Sequence, residues 1–209
     1  GPRLYSPWSL RPWLVLKRCG ADFVTTEIDI YSEAGQIELA RISPSRLVPL
    51  LKVDGETVWD SMAISVWAAE RYPAAKLWPA LAHARWLARS AACEMHGGFT
   101  ALRTHCGMGP DHTMVGPDRS PLPSDPGLER DIRRLVSLFM EMRGRFGAGG
   151  PYLFGAWSVP DAFFTQVATR FSHFQVDLAD FGDDGTAQAY CDVLLAQPDF
   201  LEWAAEALR

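Results

Sequence analysis

Apolar residues recur along the chain in two rhythms, and the point where one gives way to the other divides it. Up to about Tyr72, short apolar runs alternate with stretches of helical spacing; beyond Leu81 only helical spacing remains. A short apolar run before Ser6 reads as a strand. Leu10 to Cys19 reads as a helix, closed by Gly20 where a left-handed residue is needed. Val24, Thr26, Ile28 and Ile30 alternate with polar residues and predict a second strand. Residues 32–41 predict a short helix. Leu50, Leu51 and Val53 form a third strand, Asp54-Gly55 is a hairpin signal, and Thr57 to Trp59 returns as the partner. Pro49 stands at the entry to that hairpin, where a missing N–H is tolerable. Asp60-Ser61 opens a helix to about Tyr72, with Ile64, Trp67 and Ala68 on its apolar face and Pro73 ending it.

The second half predicts helices alone. Residues 82–105 read as one long helix, with Leu87, Ala91, Met95, Gly98 and Leu102 on one face; Gly97-Gly98 predicts close packing or a bend. Residues 107–127 hold four glycines and five prolines and predict an irregular loop. A loop that long in a compact domain is more often a lid or binding loop than a passive connector. Helical spacing returns at Leu128, Ile132, Leu135, Val136 and Phe139. Ser158-Val159-Pro160-Asp161 is a capping box. It opens a helix with Phe163, Val167, Phe171 and Phe174 on one stripe. Two helices near 185–196 and 198–208 finish the chain. The shift near residues 74–80 predicts two domains: a small α/β domain over 1–76 and an all-helical one over 82–209.

Composition narrows the class. Of 209 residues, 48% are hydrophobic and 22% charged, an ordinary globular balance. The net charge of −5 argues against a general nucleic-acid partner. No apolar run approaches the ~20 residues that span a bilayer, and no signal-like start is present, so a cytoplasmic location without membrane contact is expected. Cys19, Cys93, Cys106 and Cys191 form no CxxC pair, and His96 has no partner at ligand spacing, so no metal site is expected.

Candidate chemistry concentrates in Tyr5 to Trp13, where two serine hydroxyls, a guanidinium and two indoles fall within nine positions. Pro7 keeps Ser6 extended. A helix start offers free N–H groups and partial positive charge, so Ser6 sits where a thiolate would be well received. Ser9 is the expected N-cap, with Pro12 in the first turn. The competing reading makes both serines a turn residue and a cap only.

Three features then line up: a serine ending the first strand, Val48-Pro49 entering the third, and Asp60-Ser61 entering a helix. In this order the chain resembles the cytosolic glutathione transferases over essentially its whole length. The resemblance implies a thioredoxin-like α/β N-terminal domain, an all-α C-terminal domain, and a homodimer using glutathione as co-substrate. Ser6-Pro7-Trp8 is similar to the Ser-Pro-Phe of the tau-type enzymes. Ser6 to Arg11 also resembles the Ser-Ser-Cys-x-x-Arg of the zeta class, with Pro7 and Trp8 as departures. The resemblance implies Ser6 as the catalytic hydroxyl and Trp8, Ser9, Val48, Pro49, Asp60 and Ser61 as glutathione-binding, with a cis Val48–Pro49 bond.

Within such a fold, Met95, Phe99 and Arg103 would face a second-substrate cleft. The alternative puts Met95 and Phe99 in the core and leaves Arg103 as a surface charge. Arg46-Leu47 replaces the family's Gly-Lys, so Arg46 either substitutes for that lysine or is merely solvated. The tryptophans at 59, 67, 86, 157 and 203 are expected in the core or at a dimer contact. The activity implied is conjugation of glutathione to a small hydrophobic electrophile, or hydroperoxide reduction. A glutathione-dependent isomerase of the maleylacetoacetate or maleylpyruvate type, and a non-catalytic protein-binding scaffold, are the alternatives.

Overall fold

A computed structural model of the chain describes residues 1–116 and 119–209. Its N-terminal part is mixed. Helix α1 (Pro7–Arg18) is followed by α2 (Glu33–Ile42), the hairpin β1 (Leu51–Val53) and β2 (Glu56–Val58), and α3 (Ser61–Arg71). The hairpin is antiparallel, pairing Leu51 with Val58 and Val53 with Glu56. Asp54 and Gly55 both take positive φ (50° and 84°), the conformation of the tightest hairpin turns.

Two expected strands are not formed. Residues 1–5 turn back on themselves, with the Ser6 N–H donating to the Pro2 carbonyl at 2.9 Å. Val24 to Ile30 is irregular, and Val24 is 93% exposed. Alternation alone does not make a strand; a strand needs a neighbour to complete its ladder, and the turned first residues supply none.

The helical part contains α4 (Ala82–Gly97), α5 (Thr100–His105), α6 (Pro126–Phe146), α7 (Val159–His173), α8 (Thr186–Ala196) and α9 (Pro198–Ala207). The long helix expected over 82–105 is broken. Gly98 is extended, and Phe99 adopts a left-handed φ of 55° before the chain turns helical again. The break redirects Arg103. Between His105 and Pro126 the chain is irregular, as expected, although the part of that expectation covering 117–118 lies outside the described residues.

Helix α7 is the centre of the helical part. From Val159 to Phe171 every residue is buried, because α1, α4 and α8 pack around it. Its capping box is closed at one end by Asp161. That carboxylate accepts from Ser158 N (2.7 Å), Ser158 Oγ (3.2 Å), Leu153 N (3.0 Å) and the Tyr190 hydroxyl (2.8 Å). Burial of the α7 stripe, at roughly 25 cal/mol per Å² of apolar surface, binds the two parts into one core. Trp203 lies in that core, Trp67 and Trp157 pack against it, and Trp59 and Trp86 are exposed. All four cysteines are free; Cys106 and Cys191 are buried.

Candidate active site

The start of α1 departs from expectation in an informative way. Ser6, not Ser9, is the N-cap: its Oγ accepts from the Ser9 N–H at 3.3 Å, and Pro7 is the first helical residue. Pro7 belongs there because its missing N–H would be unpaired in any case. Pro12 therefore falls inside the helix instead of in its first turn. Ser9 Oγ accepts from the Ser6 hydroxyl at 2.9 Å.

Ser6 lines a cavity of about 350 Å³ together with Tyr5, Trp8, Val48, Arg103 and Arg170. Arg46 and Leu47 lie at its far end, and Gly107 and Met108 begin the irregular segment along its rim. Val48–Pro49 is a cis bond. Asp60 caps α3, its Oδ1 accepting from Met62 N at 2.9 Å and Ala63 N at 3.4 Å. Ser61, the first residue of that helix, is fully buried, and its Oγ has no partner.

Three guanidiniums gather on the side of the cavity facing the helical part. Arg11 is 1% exposed and stacks between Trp8 and Phe163, 4.2 and 4.9 Å from their ring centres. Arg103 packs on the same indole at 5.0 Å and donates to the carbonyls of Met95 and His96. Arg170 donates through Nε to the Cys106 carbonyl at 2.9 Å and through Nη1 to the Gln166 carbonyl at 2.9 Å. Among the described residues the hydrogen-bond partners of Arg103 and Arg170 are neutral, while Asp131 acts on Arg103 through space. Burial, compounded by repulsion from Arg103, lowers the Arg170 pKa to about 10. Burial, then Arg103 and Arg170, hold Arg11 well below its ordinary range. Cations normally pair when buried, so three guanidiniums with no carboxylate in direct hydrogen-bond contact among the described residues are a place for an anion.

The structure separates the residues expected to form the cleft. Arg103 lines the cavity, but Met95 is fully buried and Phe99 is 7% exposed, both within the core. The break at Gly98 and Phe99 is the reason: a continuous helix would have kept all three on one face. Arg46, exposed with φ 57°, lines the cavity.

Residues 5–71 match the glutathione S-transferase N-terminal domain family. That segment belongs to the glutathione S-transferase N-terminal domain family. Solved structures of the same fold cover nearly the whole chain. A Burkholderia glutathione transferase homologue with bound glutathione is 22% identical, covering 97% of this chain and 92% of that one at a TM-score of 0.70. A maleyl pyruvate isomerase described as a bacterial zeta-class member is 20% identical, with 97% and 94% covered and a TM-score of 0.67. A Caenorhabditis elegans protein named a probable maleylacetoacetate isomerase is 34% identical over 82 residues. That stretch covers 37% of this chain and 38% of the relative. Among the described residues no group of acids, histidines and cysteines could hold a metal ion, and no helix is long and apolar enough to cross a membrane.

Sequence reasoning passed over Arg170 and left Arg11 as one letter of a motif. The available signal was position. Arg170 falls within the Phe163, Val167, Phe171, Phe174 stripe, where a charge is out of place unless it is used.

Proposed function

We propose that this protein is a glutathione-dependent isomerase of a small unsaturated acid. The observation that carries it is the placement of Arg103 and Arg170, two cations hydrogen-bonded to neutral groups, on the same cavity as Ser6. The γ-glutamyl end of glutathione fits α3. There the orphaned Ser61 hydroxyl and the free N–H groups of the first turn suit its carboxylate, and Asp60 suits its ammonium. Val48 offers backbone groups for strand-like pairing, and Arg46 a cation for the glycyl carboxylate.

Bound glutathione supplies a thiolate that adds to and leaves the substrate's double bond, which lets the cis form turn to trans. Ser6 favours the charged sulfur by donating its hydroxyl proton at a helix N-terminus. Arg103 and Arg170 hold the substrate's carboxylate and offset negative charge that grows on its carbonyl oxygen.

Conjugation to an apolar electrophile is the second reading, supported by Tyr5, Tyr31, Leu47 and Met108 at the rim. A homodimer in the cytoplasm remains part of the same proposal, with Trp59, Val66 and Trp86 as exposed apolar residues a second copy could cover. Incubation with maleylpyruvate and a catalytic amount of glutathione tests the reading. Conversion to the trans acid with thiol titre unchanged is the expected result. Stoichiometric loss of thiol favours conjugation, and absence of glutathione binding by calorimetry leaves a scaffold.

A further inference from the structure

One side chain at the junction of the two parts has no role in that chemistry. His96 stands in the last turn of α4, its Nε2 3.1 Å from Oδ2 of Asp60 and its Nδ1 3.5 Å from Nη1 of Arg11. Its ring meets Trp8 edge-on at 5.5 Å and lies tilted against Phe163 at 6.1 Å. A guanidinium can only donate. The imidazole therefore turns a lone pair toward Arg11 at Nδ1 and carries its proton on Nε2, where it donates to Asp60. Arg11 thus fixes the tautomer of His96.

The two oxygens of Asp60 are held from two directions. Oδ1 accepts from the first turn of α3, and Oδ2 accepts from His96 on α4. Among the described residues, the charged groups at the ring and its carbonyl are Asp60 from the start of α3, Arg11 from α1, and Arg103 from α5, which reaches the His96 carbonyl at 2.9 Å. From α7 the ring meets Phe163.

We infer that His96 is a positioning residue for glutathione: its imidazole aims the Asp60 carboxylate at the γ-glutamyl ammonium. This role rests on the reading that glutathione binds at α3.

Calorimetry with two probes tests this: glutathione itself, and the analogue in which the γ-glutamyl amine is replaced by hydrogen. His96→Phe keeps the aromatic packing and is expected to weaken glutathione about tenfold, while the deaminated analogue changes less than about twofold. His96→Gln, whose amide can still donate to Asp60, is expected to recover most of the loss. Equal losses for both probes, unchanged glutathione affinity in His96→Phe, or no recovery in His96→Gln would each overturn the role. If the wild type binds neither probe, the glutathione reading fails, and this role with it.

Discussion

The hydroxyl of Ser6 donates to Ser9 Oγ across 2.9 Å while the Ser9 N–H donates back to Ser6 at 3.3 Å. The proton that a thiolate would need is already engaged, and Ser9 competes for it. Ser6 also caps α1, so the oxygen proposed to serve the thiol already serves folding.

Ser6→Ala is expected to raise the pKa of bound glutathione and to cut turnover roughly ten- to hundredfold where thiolate formation limits the rate, the worth of one hydrogen bond to a charged group. It should also cost about 0.5–2 kcal/mol of stability through the lost cap. Ser9→Ala leaves the cap in place and frees the Ser6 hydroxyl, so thiol acidity should hold or increase slightly. Thiolate absorbance titrations and urea melts of both variants check this.

Arg170→Met should leave glutathione affinity within about twofold while lowering kcat/KM for an anionic acid roughly ten- to hundredfold, with little change for an uncharged electrophile. Because Arg170 is buried without a counter-ion, an apolar side chain of similar volume should not lower the melting temperature much. Equal effects on charged and uncharged substrates would place the arginine outside recognition.

Asp161 supplies a pH dependence. Burial pushes its carboxyl up to about 6, against hydrogen bonds from Leu153, Tyr190 and Ser158 that pull it down. A folded value above the unfolded one of about 3.9 means that the folded chain binds more protons between those values. This contribution is therefore present in full below about pH 4 and lost as pH rises through about 6. Urea midpoints measured at several pH values should show that slope in the wild type and lack it in Asp161→Asn. The variant should also be less stable by about 1–3 kcal/mol, because an amide N–H₂ faces the Ser158 N–H.

Gly98→Ala tests the break between α4 and α5. A Cβ there would lie 2.6 Å from the Glu94 carbonyl oxygen, a backbone atom that cannot swing aside. Destabilisation of about 1–3 kcal/mol is expected. Activity toward the anionic substrate should fall further than glutathione affinity, since Arg103 depends on the turn; steady-state kinetics alongside calorimetry separates the two.

Local chemistry was legible in the sequence wherever a few adjacent residues settle it. Asp54-Gly55 makes its turn, Ser158 and Asp161 close their box, and Gly147 follows the end of α6 at Phe146. Features that need a distant partner were not. Val24 to Ile30 has the alternation of a strand but no ladder beside it. The spacing of Leu87, Ala91, Met95 and Leu102 runs on through Gly98, yet the backbone breaks there and Phe99 turns inward. The arginine cluster comes from α1, α5 and α7, so no window of sequence contains it; only the oddity of Arg170 on an apolar stripe pointed that way. Capping was misplaced by three residues because Ser6 and Ser9 are equally good caps, and Pro7 decided between them.

Helix α7 is sheathed on every side, and that divides the cavity into a fixed floor and an editable rim. Arg170 belongs to the floor: moving it means repacking Phe163, Phe164, Val167 and Phe171 against three other helices. Met108 and Gly107 belong to the rim, at the head of an irregular segment whose Met114 N–H is tied to the Leu4 carbonyl at 2.7 Å. A library aimed at new second substrates should therefore spend its diversity between Gly107 and Val115 and leave α7 alone. The charge that selects the acid would be inherited unchanged, while the shape that surrounds it could be rewritten.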